Sequence, residues 1–131
     1  METSVRTLKV VSFGYKYGVP EDAGLVIDVR FLPNPYWVAE LRPLTGKDSS
    51  IREYVFRDGQ AEEMIGKVCE LAEQLIPLYA EAGRSSLTVA VGCTGGRHRS
   101  VAAAEQLAAA LKERCGITPL VEHRDICRDR E

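Results

Sequence analysis

The amino-acid sequence predicts an α/β domain: a mainly parallel sheet of about four strands with helices on both faces. Three observations predict it. Short β-branched apolar runs lack alternation, longer segments carry helical periodicity, and the two kinds are interleaved along the chain. Continuous apolar runs of this sort suit strands buried on both faces of a sheet.

The first strand is expected over residues 8–13 (LKVVSF), stopped by Gly14, and the second over 25–29 (LVIDV), cut off by RFLPNP. A short helix over 49–56 follows, with Asp48 placed to cap it. The longest helix is expected over 60–82, because Met64, Val68, Leu71, Leu75 and Leu78 recur at helical steps on one face. Pro77 falls inside it and removes an amide donor, which predicts a kink or an early end, and Gly83 is placed as the C-terminal stop. The third strand, 87–91 (LTVAV), leads through a glycine-rich segment into a helix over 99–114, ended by Gly116. In that helix Val101, Ala104, Ala108 and Leu111 face inward. A fourth strand is expected over 118–122. No repeat or linker divides the chain, so residues 1–131 form one domain.

Composition excludes several classes. With 45% hydrophobic and 27% charged residues the chain is neither disordered nor fibrous. No apolar run approaches the about 18 residues of a membrane span. The polar N-terminus runs straight into a strand without a secretory leader, so a cytoplasmic protein is expected. Cysteines at 69, 93, 115 and 127 match no metal-ligand spacing and read as reduced thiols, and no cofactor is implied. The net charge of −2 argues against a protein coated in positive charge. The charge is nonetheless segregated: Arg97, His98, Arg99, His123, Arg124, Arg128 and Arg130 are concentrated in two segments, while Glu62, Glu63, Glu70, Glu73 and Glu81 lie on one helix.

In parallel sheets ligands bind beyond the carboxyl ends of the strands. GYKYG, DVRFLPNP, GCTGGRHRS and HRD each follow a strand here and should converge on one edge. The segment from Gly92 to Ser100 carries the strongest chemistry. Its glycines let the backbone approach a ligand, and the following helix offers unpaired amides and a favourable dipole to an anion. Thr94, Gly95, Gly96, His98, Arg99 and Ser100 are the candidate phosphate binders, with a tight turn bearing solvated arginines as the plain reading. Cys93, Arg99 and Ser100 also match C-x5-R-[ST], the loop of cysteine-dependent phosphatases, in which a thiolate attacks phosphorus. That reaction needs an acid for the leaving group, and Asp28 and Asp125 are the candidates. Against it stands Cys93 as a small buried residue.

Arg30 and Asn34 are placed to reach a ligand, with Asp28 orienting the arginine or a sugar hydroxyl; a structural ion pair is the alternative for Arg30. Lys16, between Tyr15 and Tyr17, reads either as a phosphate contact beside stacking rings or as a solvated loop residue. Residues 41–48 read as a lid or a surface loop. Tyr36 and Trp37 either pack or stack, and Arg124, Arg128 and Arg130 read as solvated charge.

Taken in order, SFGYKYG, DVRFLPNPYW, LRPLTGKD, LTVAVGCTGGRHRSV, AEQLAAAL and HRD resemble the C-terminal domain of the RNase adapter protein RapZ family, over about residues 9–125. The resemblance implies a non-catalytic α/β domain that binds glucosamine-6-phosphate and contacts small regulatory RNA, which the full protein presents to an RNase. Thr94, Gly95, His98 and Arg99 match the family's phosphosugar positions. Lys16 matches a basic position that the resemblance links to RNA contact, and Arg97 and Arg99 are the other RNA-contact candidates, Arg99 serving both ligands. Tyr36 stands where the family's PNPH segment has histidine. No GxxxxGK[ST] loop occurs, so ATP or GTP binding does not carry over. The domain is expected to stand alone, without a kinase-like N-terminal domain, as monomer or homodimer.

Overall fold

The computed structural model describes residues 5–128, so Arg130 lies outside the described residues. The elements are β1 (Thr7–Gly14), a 3-10 turn (Tyr15–Tyr17), β2 (Leu25–Asp28), a second 3-10 turn (Pro35–Trp37), α1 (Ser49–Val55), α2 (Gln60–Glu81), β3 (Ser86–Cys93), α3 (Arg99–Cys115) and β4 (Leu120–His123). All strand pairs are parallel, in the order β2-β3-β1-β4, with Gly14 opposite Cys93 and Ser12 opposite His123. The expected α/β class with a four-stranded parallel sheet is therefore the one adopted.

The connections explain how the two faces are covered. The β2→β3 and β3→β4 crossovers step the same way across the sheet, so right-handedness puts their helices on one face. There Leu8, Val10, Leu87, Val89 and Val91 share a core with Ile51, Val55, Ile65, Ala72, Ala102 and Leu107. The β1→β2 connection steps the other way and crosses the second face, where Val11, Phe13 and Ala90 are buried. On that face Phe13 is met by Tyr15 of the 3-10 turn and by Arg124 of the C-terminal segment, and not by an α-helix. The edge strands are less buried than their apolar sequences suggested: in β2 Leu25 and Ile27 pack on the core while Val26 and Asp28 are exposed.

Helix α2 faces the core through Ala61, Ile65, Val68, Cys69 and Ala72. The expected stripe is rotated, for Leu71 and Leu78 are exposed. Small residues win the interface because α3 presents Ala102, Ala103, Ala104 and Ala108, and two small-residue faces let helices approach closely. No early end occurs at Pro77. The helix continues to Glu81, and Pro77 is exposed, so water can serve the carbonyl left without an amide. Gly83, at φ +82°, then stops it, with Gly83 N–H on Ala80 O at 3.0 Å and Arg84 N–H on Tyr79 O at 2.9 Å. Asp48 occupies the N-cap of α1, but its carboxylate turns back to the Thr45 N–H at 2.8 Å and caps nothing.

Two adjacent strands, β1 and β3, send their connections to opposite faces, which opens a crevice at their carboxyl ends. A very close backbone approach sits there. A Cβ on Gly14 would lie 2.5 Å from the Gly95 carbonyl carbon, and one on Gly96, whose φ is +80°, would lie 2.6 Å from Gly14 N. Gly96→Ala combines a disfavoured backbone with that clash. It is expected to lower unfolding stability by about 2 kcal/mol or more, read as a shifted denaturant midpoint; an unchanged midpoint would contradict the packing described.

Candidate functional site

At this crevice lies a cavity of about 310 Å³, lined by Lys16, Asn34, Tyr36, Trp37, Cys93, Thr94, Gly95, Arg97, His98 and Arg99. The segments after β1, β2 and β3 converge on it as expected. The HRD segment after β4 does not line it and acts from behind. Asp125 is fully buried, accepts the Gly14 N–H at 2.8 Å, and pairs with Arg124 at 2.8 Å and Arg128 at 3.4 Å. It braces the β1 end against the turn.

The turn is built around Cys93. Its buried Sγ receives the amides of Gly96 (3.3 Å) and Ser100 (3.4 Å), and its thiol donates to Ser100 Oγ at 3.2 Å. Gly96 and Ser100 therefore lie behind the wall and not on it. The N-cap residue, His98, makes no side-chain cap bond to α3, and Cys93 Sγ takes one first-turn amide, that of Ser100.

The arginines act differently from a simple phosphate fork. Arg99 is only 6% exposed; its Nη1 donates to Arg30 O at 2.6 Å and Leu32 O at 3.4 Å, and its Nη2 reaches Thr94 Oγ1 at 3.5 Å. Its partners are neutral oxygens, which satisfy hydrogen bonds but leave the charge. Arg97 donates to Leu44 O at 3.0 Å, to Pro43 O and to Ile126 O. Gly46 N–H returns a bond to Arg97 O at 3.0 Å. Residues 42–46 of the 41–48 segment are thus riveted to the turn, which makes that segment a fixed strap. His98 Nε2 contacts Arg42 O at 3.0 Å; a carbonyl only accepts, so this nitrogen carries hydrogen.

Arg30 lies outside the cavity. It grips Asp28 through Nε (3.0 Å) and Nη2 (2.8 Å) and lies 3.9 Å over the Tyr15 ring. That hydrogen-bonded guanidinium holds the Asp28 carboxyl below the usual range, while burial pushes the Tyr15 phenol up, helped by the nearby Asp28 charge. Asn34 accepts the Tyr36 amide at 3.1 Å and so shapes the Pro35–Trp37 turn. Tyr36 stacks edge-on with Trp37 and lies under Arg42, whose guanidinium carbon is 4.8 Å from the ring centre. The sequence reading left Trp37 and Cys93 out of the binding set. The available signal was a tryptophan two residues after the PNP of the segment that leaves β2 at the same edge.

Residues 6–127 match the family model described as the RapZ C-terminal domain. The chain belongs to that family. It is 52% identical over 128 residues to a nucleotide-binding protein of Thermobifida fusca (strain YX), covering 98% of this chain and 43% of that relative. A nucleotide-binding protein of Caldanaerobacter subterraneus subsp. tengcongensis is 51% identical over 119 residues (91% and 42%). One of Desulfitobacterium hafniense (strain DSM 10664 / DCB-2) is 49% identical over 124 residues (95% and 41%). The chain thus spans about two-fifths of the length of these curated relatives. Every residue lining the cavity falls inside the matched RapZ segment.

A second hydrogen-bonded chain in this RapZ domain has the composition of a catalytic triad. Ser12 Oγ meets His123 Nδ1 at 2.7 Å, and His123 Nε2 meets Glu105 at 2.7 Å. Ser12 is fully buried, so the chain ties β1, β4 and α3 together and presents no nucleophile.

The Asp28–Arg30 pair gives a measurable sign. Because the folded carboxyl titrates low, the pair's contribution is present above the unfolded midpoint and lost as pH falls through the folded one. In an NMR titration the Asp28 carboxyl is expected to have a midpoint below that of an unpaired aspartate, and Arg30→Ala is expected to raise it; no rise would contradict the pairing.

Proposed function

We propose that this domain is a sensor module that binds a phosphorylated small molecule, an amino-sugar phosphate such as glucosamine-6-phosphate, without transforming it. One observation carries the reading. The cavity is lined by Lys16, Arg97, His98 and Arg99, no carboxylate is among its lining residues, and the buried Arg99 charge is bonded only to neutral oxygens. A buried guanidinium in that state favours an arriving oxyanion, each charge-assisted bond being worth about 1.5–3 kcal/mol. Thr94 and Asn34 supply short polar groups suited to sugar hydroxyls, and the volume suits a small ligand. Membership in the RapZ C-terminal family supports the same class.

Several relatives are named nucleotide-binding proteins, and a nucleotide carries the same phosphate chemistry. This sequence lacks a GxxxxGK[ST] loop, so the reading takes the phosphate, not a purine, as the recognised group. Thiol catalysis through Cys93 is weaker. Its two candidate acids are committed elsewhere, Asp28 to Arg30 and Asp125 to Gly14, Arg124 and Arg128.

Calorimetric titration with glucosamine-6-phosphate, glucosamine and inorganic phosphate tests the reading. Binding is expected for the phosphosugar and to be weakened about tenfold or more by Lys16→Ala, with the ligand recovered intact. No response to any phosphate compound, or a response to glucosamine alone, would sink it.

A second reading, contact with structured RNA, is favoured by a separate observation. Lys16 and Arg128 lie 5.5 and 5.1 Å over Tyr17, Arg30 lies over Tyr15, and Arg124 lies 5.8 Å over Phe13. Lys16 beside Tyr17 and Arg30 beside Tyr15 thus set cations against partly exposed rings, as RNA backbones and exposed bases require, whereas Phe13 is buried and only backs Arg124. Gel shifts with a structured small RNA are expected to weaken steeply between low and high salt; absence of any shift at low salt would remove this reading.

A further inference from the structure

Trp37 is the most exposed large apolar side chain among the described residues, at 74%, yet it lines the cavity. Tryptophan is normally well covered in folded proteins. This one is displayed, and the display is built. Asn34 takes the Tyr36 amide at 3.1 Å, Asn34 O takes the Trp37 amide at 3.3 Å, and the buried Pro35 anchors the turn between them. Tyr36 then braces the indole edge-on at 5.3 Å and 86°. Tyr36 is itself fixed by Arg42, which stacks on its ring and donates through Nε to its carbonyl at 2.7 Å. A rigid indole held at a cavity mouth loses little freedom on binding and offers a large flat face.

The space beside it decides what that face meets. The 310 Å³ cavity would hold about ten waters, far more than one phosphate group fills. Asn34, Tyr36 and Trp37 line the same cavity as Lys16, Arg97, His98 and Arg99, so the part of a ligand beyond its phosphate meets an aromatic wall. We propose that Trp37 is the specificity-determining wall of this site: its indole stacks on the C–H face of a closed sugar ring, so the cavity selects a pyranose phosphate over an open-chain phosphate of equal charge. This rests on the phosphate-binding reading above and adds a ring requirement to it.

The test is calorimetry on the full chain with glucose 6-phosphate, glucitol 6-phosphate and inorganic phosphate, repeated for Trp37→Ala and Trp37→Phe. The wild-type protein is expected to bind the pyranose phosphate about tenfold more tightly than the open-chain one. Trp37→Ala brings that ratio to about one, and Trp37→Phe restores most of it. Since Trp37 is the chain's single tryptophan, its emission should also shift with the pyranose phosphate and much less with inorganic phosphate. If none of these compounds binds and glucosamine-6-phosphate does not bind either, the phosphate reading fails and takes this inference with it. If all bind with equal affinity, or Trp37→Ala leaves the ratio intact, this inference alone is overturned. An unchanged ratio with an altered sedimentation profile would make Trp37 a contact between copies of the chain, and overturns it as well.

Discussion

The constraint on which the site depends is the backbone-to-backbone approach of Gly14 to Gly95 and Gly96. A side chain at Gly14 or Gly96 would collide with main-chain atoms, which cannot rotate away. The approach draws the segment after β1 onto the segment after β3, at the point where their connections leave for opposite faces. Lys16 N–H then bonds to Thr94 O at 3.2 Å, and the two segments become one wall. Asp125 secures the junction from behind by taking the Gly14 amide and drawing Arg124 and Arg128 onto the same carboxylate. An acidic residue thus stabilises the floor of a basic site without facing its ligand.

The second organising fact is the use of arginine as a fastener. Arg99 ties the turn to residues 30–32, and Arg97 ties it to residues 43–44 and to the C-terminal segment. Both donate to carbonyls and not to carboxylates. An ion pair would have bound the segments equally well but cancelled the charge; carbonyl acceptors bind them and keep it. That choice reconciles a chain of net charge −2 with a locally positive cavity. Arg30 shows the contrast. It meets Asp28 in a bidentate pair at the surface, and it lies outside the cavity lining.

The sequence made the succession of strands and helices and the glycine-rich strand-to-helix turn legible because both are local signals: apolar runs that stop at turn residues, and helical periodicity that begins after the glycines. Facing in α2 was not legible. Counting large apolar residues selected Leu71 and Leu78, whereas the partner helix is lined with alanines and accepts Ala61, Cys69 and Ala72. Which side of a helix is inward depends on what the neighbour offers, and that information is distant in sequence. The same holds for Arg99 and Arg97, which donate to carbonyls of residues 30, 32, 43 and 44, more than 50 positions away. Asp125 and Asp28 looked alike as strand-end carboxylates. Only the fold separates one as a buried brace from the other as an exposed partner of Arg30.

These features imply a site assembled before its ligand arrives. The turn is fixed by Cys93, the strap by Arg97, the β2 loop by Arg99 and the aromatic wall by Asn34 and Arg42, so each wall has its own fastener. Binding at such a site need not order the chain, and the interaction energy is not spent on folding loops. A sensor gains from this in one respect and loses in another. Affinity for a small ligand can be high, but little movement is left with which to report occupancy. In the proposed sensor the signal would travel through surface chemistry at the rim, where Lys16, lying over Tyr17, also lines the cavity. Under that proposal, a phosphate that engages Lys16 would take this cation from the rim. Occupancy would be read by a second anion as competition for charge, with no change of fold required.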